Sequence, residues 1–182
     1  PVKLIGMNNT VVIVYSENPF TTKITINGKI FDTTLLQNLC DNLEIPLFIE
    51  KTHAKEIVFD IRKEKNPCSL CANLRRGAIN SVAVREGCNK IALGHNMDDV
   101  LETFLLNLLY TGSLSTFAPK SFMDRTKITL IRPLIFLSEK DTRHFVKKYN
   151  KSVMPKVCPM DEHTKREDMK EQIFLWQKDI PM

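Results

Sequence analysis

No apolar run in this 182-residue chain approaches the roughly 20 residues that a helix needs to cross a bilayer, so a membrane-spanning helix is excluded and no membrane partner is expected. The start lacks a charged region followed by an apolar one, so no secretory signal is read there. The chain also lacks internal repeats, low-complexity blocks and a clear interdomain linker, which argues for one domain over residues 1–182. A strong excess of one charge is missing too. There are 26 Lys+Arg against 21 Asp+Glu, a net +5 that is compatible with an RNA partner without demanding one. Cysteine is sparse and odd in number. Five cysteines, two of them in a CxxC and no signal before them, point to a reducing, cytoplasmic setting in which cysteines bind metal or do redox chemistry. The chain starts with Pro1 rather than Met, which reads as a trimmed or excised piece of something longer.

Strands and helices alternate in the pattern. Val11 to Tyr15 is a β-branched run of the kind that forms a buried strand. Thr22 to Phe31 alternates around Asn27-Gly28, a two-residue hairpin signal. Asp32 to Leu43 reads as a helix, with Asp32 as cap and Leu35, Leu36, Leu39 and Leu43 on one face. Pro46 to Glu50 reads as a strand, and Ile57 to Ile61 as helix or strand. A long helix follows from Cys68 to Arg85, stopped by Gly87. Lys90 to Leu93 and Lys127 to Ile131 read as strands. Between them an amphipathic helix starts at Asp98 or Asp99, with Val100, Leu101, Phe104, Leu105, Leu108 and Leu109 on its apolar side. Two further helices are expected, Glu139 to Tyr149 capped by Ser138 and Thr164 to Trp176. The alternation implies βαβ units, a mostly parallel sheet, and ligands at the carboxyl ends of its strands, where Gly94 to Asp99 would lie.

The chemistry-bearing residues concentrate between Cys68 and Glu102. Cys68 and Cys71 open a helix with metal-ligand spacing, and soft thiolates select iron–sulfur clusters or zinc. A buried or redox pair of cysteines is the plainer reading. Cys158 is a candidate third ligand brought in by folding; three cysteines suit a cluster with one open iron better than a closed zinc site. Cys40 and Cys88 sit among apolar positions and read as core. Arg75 and Arg76 follow on the same helix and offer planar forks for phosphate, or simply a solvated face. Asp98 and Asp99 can hold Mg²⁺ with phosphates completing the shell; alternatively Asp caps the helix, and Asp99-x-x-Glu102 resembles a capping box. His95 and Arg132 stand at two strand ends, as nucleotide or phosphate contacts or as plain strand terminators. Lys165-Arg166 reads as an RNA contact or a solvated pair.

Taken together the motifs resemble the tRNA 2-thiolation enzymes of the PP-loop ATP pyrophosphatase superfamily, most of all the tRNA 2-thiocytidine synthetase group. The resemblance runs from Phe59 to Ile173. It is carried by CSLCANLRRGA (68–78), NKIALGHNMDDVLETFLLNLLY (89–110), LIRPLIFLSEKD (130–141) and CPMDEHTKRE (158–167). It implies a Rossmann-like α/β fold of the adenine nucleotide alpha hydrolase type, with 1–58 divergent, 59–173 family-like and 174–182 a tail. It implies ATP and Mg²⁺, adenylation of a pyrimidine carbonyl in tRNA, and replacement of the activated oxygen by sulfur from a donor such as a cysteine desulfurase. It implies a [4Fe–4S] cluster on Cys68, Cys71 and Cys158, acidic roles for Asp98 and Asp99, an ATP site involving Gly94, His95 and Arg132, and Arg75 and Arg76 near cluster and RNA. Whether the chain dimerises is left open. One feature departs from the family. Its Ser-Gly-Gly-x-Asp-Ser phosphate loop occurs nowhere in this chain; the strand-end stretch Ser16 to Phe20 has no glycine and places a carboxylate and a proline there. Adenylation by the chain as given is therefore expected to fail, and the alternative is a non-enzymatic, metal- and RNA-binding module.

Overall fold

The computed structural model describes residues 2–5, 10–15, 23–26, 29–32, 34–54, 56–63, 67–151, 153 and 164–179. The expected turn at Asn27-Gly28, the stretch from Ser16 to Phe20, and Cys158 lie outside the described residues. The chain forms two compact units. One takes residues up to Leu93 together with Lys120–Ile131, and the other takes Gly94–Pro119 together with the residues from Arg132 on.

The first unit holds the eight strands found among the described residues. β1 (Val2–Ile5) pairs antiparallel with β2 (Thr10–Tyr15), and β2 pairs parallel with β5 (Leu47–Lys51). β3 (Lys23–Ile26) and β4 (Lys29–Asp32) form a hairpin, with Ile26 opposite Lys29 as a two-residue loop requires. The third sheet has the order β6-β8-β7: β6 (Lys90–Ala92) runs parallel to β8 (Ile128–Ile131), and β7 (Lys120–Met123) closes the edge antiparallel. The two three-stranded sheets are therefore mixed, each a parallel pair carrying an antiparallel edge strand, while the β3–β4 pair is antiparallel. β7 gave no sequence signal because Lys120–Met123 is too short and too exposed to alternate clearly.

Helix α1 (Thr34–Asn42) buries Leu36 and Cys40, with Leu39 partly covered. Leu35 and Leu43, expected on the same buried face, are exposed instead, and Cys40 fills the site at 1% exposure. Asp32, expected to cap this helix, is the last residue of β4. Glu56–Ile61 is a short helix of the π type, the helical one of the two expected forms. Helix α2 (Pro67–Arg85) then packs Ile79, Val82 and Ala83 onto Ile91, Leu93, Ile128 and Leu130 of the β6–β8 sheet, with Cys88 in the same cluster. Both expected core cysteines are core. Gly87 ends the helix at φ +66°, a conformation that glycine adopts without a Cβ clash.

The second unit is helical. It comprises α3 (Met97–Thr111), α4 (Glu139–Lys148) and α5 (Lys165–Asp179). Ser138 caps α4 as expected, in a reciprocal pair with Asp141. The capping box of α3 differs from the expected one. It is Asn96 with Asp99, one turn earlier than Asp99 with Glu102. The apolar face of α3 is another correction. Leu101, Leu108 and Leu109 stay exposed, and the fully buried residue of this helix is Glu102 at 6% exposure. Among the described residues no helix is long and apolar enough to cross a membrane.

Candidate functional site

Pro67 opens α2, where its missing N–H costs nothing because that position has no helical partner. Cys68, Cys71 and Arg75 follow at i, i+3 and i+7, so one face of the helix start presents two thiols and then a guanidinium. Cys68 is exposed and Cys71 half-buried, and neither is in a disulfide. Arg75 is half-buried, and its Nε has no hydrogen-bond partner among the described residues, whereas Arg76 is exposed. This donor set fits a soft-metal centre: two thiolates from one helix turn, with a cation on the same face to offset the charge of an anionic cluster. Among the described residues no three His, Cys, Asp or Glu side chains gather closely enough to hold a metal. The third expected ligand, Cys158, falls outside those residues. Cys40 is a different kind of thiol. Burial first, and then the charge of Asp41, pushes its pKa up, so it stays protonated and unreactive.

The second cluster lies in the helical unit. Gly94 comes two residues after the end of β6 at Ala92 and is exposed; a Cβ built there would meet nothing within 4 Å. The His95 ring packs against Phe117 with centroids 4.8 Å apart and the ring planes tilted by 43°. The Arg132 guanidinium sits over the same Phe117 ring, 4.5 Å from its centroid, and donates from Nη1 to the Ala118 carbonyl.

The two aspartates are engaged differently. Asp99 Oδ2 accepts from the Asn96 amide at 2.9 Å, and its Oδ1 accepts from Arg166 at 3.2 Å. Asp98 Oδ2 accepts from the Glu139 amide at 2.6 Å, which supplies a partner to the first turn of α4. No hydrogen bond reaches the other Asp98 oxygen among the described residues. Arg166 also binds buried Glu102 at 2.9 Å and donates to Thr103 at 3.0 Å. Lys170 binds Glu139 at 2.6 Å, and Arg143 binds the other oxygen of the same carboxylate. Lys165 lies 3.9 Å from the centroid of the Tyr110 ring. The Lys165-Arg166 pair is thus anchored on α3 and is not a freely solvated charge pair.

These groups line a cleft of about 160 Å³ in which five carboxylates meet two cations. That is below the ~300–1,000 Å³ of ordinary small-molecule sites, so the cleft as it stands is too small for a nucleotide. Burial pushes the Glu102 pKa up, against the pull of Arg166. Burial acts upward on Glu139 as well, but hydrogen bonds from Lys170 and Arg143 outweigh it and leave its pKa lowered. Glu102, Glu139, Lys170 and Phe117 were missed in the sequence. Only the Asn96-x-x-Asp99 spacing offered a readable signal, and it was placed three residues late.

The PP-loop domain family matches residues 27–174. The tRNA-cytidine(32) 2-sulfurtransferase of Pelobacter propionicus is 37% identical over 150 residues, covering 81% of this chain and 56% of that protein. The protein of the same name from Shewanella loihica is 37% identical over 153 residues, covering 83% of this chain and 48% of its own. The chain therefore spans about half the length of these relatives. Among solved structures, the U34-tRNA thiolase NcsA of Methanococcus maripaludis, with its [4Fe-4S] cluster, superposes with a TM-score of 0.69 at 20% identity, covering 93% of this chain and 57% of that one. At that identity the likeness concerns the fold, which is Rossmann-like with mixed sheets and flanking helices. With the model of the family matching from the β3–β4 hairpin into α5, the chain belongs to the PP-loop domain family.

Proposed function

We propose that the chain is the tRNA-thiolating PP-loop domain of a cytidine 2-sulfurtransferase, acting in the cytoplasm. The observation that carries this reading is the CxxC on the first turn of α2, with Arg75 on the same face, in a chain 37% identical to proteins of that name. In such a reaction the carbonyl oxygen of the base is a poor leaving group until it is adenylated, after which sulfur attacks the carbon and AMP departs. An iron–sulfur cluster, when bound, would supply a coordination site that keeps incoming sulfur nucleophilic at neutral pH. Cys68, Cys71 and Cys158 are the residues assigned to hold it. Arg75 and Arg76 would offset its charge and meet RNA phosphate. Of the two aspartates, Asp98 is the better placed to meet Mg²⁺ or a proton, because among the described residues no hydrogen bond reaches one of its oxygens while both oxygens of Asp99 accept one. The sulfur donor would be a protein such as a cysteine desulfurase.

The chain as given holds no Ser-Gly-Gly-x-Asp-Ser run, so the β- and γ-phosphates of ATP lack the amide cradle that such a loop provides. The expected behaviour is cluster assembly and tRNA binding without pyrophosphate release. The test uses the anaerobically reconstituted full chain with unmodified tRNA, ATP and Mg²⁺. It reads iron content, gel-shift of tRNA and pyrophosphate release in parallel. A chain that binds neither iron nor tRNA would defeat the reading. Rapid pyrophosphate release would defeat the adenylation claim alone.

A further inference from the structure

The geometry points to Phe117 as a positioning residue, one that holds Arg132 and His95 together as a pair for a phosphate-bearing ligand. The inference deepens the reading above and rests on it for the identity of the site. Three observations from one unit carry it. The Phe117 ring contacts two functional side chains from different parts of the sequence, His95 at 4.8 Å and Arg132 at 4.5 Å between centres. The loop that carries Phe117 is itself fixed by Arg132, through Nη1 to the Ala118 carbonyl and through its backbone amide to the Pro119 carbonyl at 2.9 Å. The same loop is tied to α3 as well. Thr116 donates to the Val100 carbonyl at 3.2 Å, and Asn107 donates to the Ser115 carbonyl at 2.9 Å.

This arrangement matters because a guanidinium has five N–H donors in one plane. With the Phe117 ring lying against it, the guanidinium still offers its N–H edges, where a bidentate phosphate contact forms. Phe117 thereby removes the rotational freedom that an arginine otherwise loses on binding. Phe117 itself reacts with nothing; it acts through the two residues it touches.

The test is a comparison of wild type, Phe117→Leu and Phe117→Tyr full chains. Leucine keeps an apolar body at the site but removes the π face, and tyrosine keeps the face. NMR signals of the Arg132 Nε–H and the His95 ring are followed while inorganic pyrophosphate is added. The wild type should show a saturable shift at both residues. Phe117→Leu should raise the half-saturating concentration about tenfold and broaden or average the Arg132 signal, whereas Phe117→Tyr should restore both. Thermal melts of the three proteins accompany the titration. An unchanged titration in Phe117→Leu would overturn the proposal, as would a loss in Phe117→Leu that tracks a lowered melting temperature and is not rescued by tyrosine. A wild type with no response at Arg132 would overturn it as well. Failure of tRNA or iron binding alongside an intact pyrophosphate response would instead strike the thiolation reading and leave the Phe117 pairing standing.

Discussion

The guanidinium of Arg166, on the first turn of α5, lies 2.9 Å from the buried carboxylate of Glu102 on α3 and 3.2 Å from that of Asp99. A carboxylate at 6% exposure is costly unless it is paired, and this arginine is its pair. The contact decides how the helical unit is assembled, because α5 meets α3 through this charge pair as well as through apolar packing. Met169 and Ile173 provide the buried apolar part on α5.

Arg166→Met should therefore destabilise the helical unit by about 1–3 kcal/mol. The ~3–5 kcal/mol of a fully buried pair is not expected, because the Arg166 side chain keeps 43% of its surface in water. Trp176 is the only tryptophan and sits on α5, so its fluorescence in a urea titration reports this unit. A midpoint equal to that of wild type would show that the pair contributes nothing.

Stability should depend on pH through two glutamates of opposite sense. Glu139 has a lowered pKa in the folded state, so its contribution is present above the ordinary value of 4.5 and is lost as pH falls through the folded value. Glu102 has a raised pKa, so ionising it costs more in the folded chain, and stability declines as pH climbs from 4.5 through its folded value. Glu139→Gln should flatten the acid side of a urea-midpoint profile, and Glu102→Gln should flatten the decline above 4.5. Profiles of unchanged slope in both variants would refute the assignment.

The capping box of α3 is open to a double-mutant cycle. Asn96→Ala removes the acceptor for the Asp99 amide and should cost about 1 kcal/mol. Asp99→Ala removes the reciprocal bond and the Arg166 contact together, so it should cost more than Asn96→Ala. The two losses should not add, since they share one box. Strict additivity in urea unfolding would show that the two residues act separately.

How far the fold could be read in advance follows from which forces are local. VVIVY, the hairpin around Ile26 and Lys29, the Gly87 stop and the Ser138 cap are local signals, and the structure contains all of them. The buried state of Glu102 was not legible, because its partner Arg166 is 64 residues away and nothing near Glu102 announces it. The same holds for Phe117. A lone aromatic in a loop carries no period, and its role comes from Arg132 and His95 reaching it in space. Cys68 and Cys71 were legible as a pair because a helix places i and i+3 on one side. Leu35 and Leu43 were misread because helical periodicity gives a face without saying which edge of it the sheet covers.

The cysteines allow a direct test of the centre. Anaerobic reconstitution with iron and sulfide should give a [4Fe–4S] chromophore that depends on Cys68, Cys71 and Cys158. Cys68 and Cys71 stand near the start of α2 on one face of the helix, the first exposed and the second half-buried. Cys40 and Cys88 are buried in two separate apolar clusters, and the Cys40 thiol is further held protonated by burial. Single Cys→Ser variants at all five positions should therefore divide three to two in iron content and visible absorbance. Serine at Cys68 or Cys71 should leave little or no cluster, since an alkoxide is a poor ligand for iron–sulfur. Serine at Cys40 should leave iron binding intact while costing stability, because a hydroxyl then enters an apolar site. Zinc bound in place of iron, with a stoichiometry insensitive to Cys158→Ser, would replace the cluster by a two-thiolate zinc site. Iron lost in the Cys40 or Cys88 variant and kept in the Cys158 variant would show the ligand assignment to be wrong.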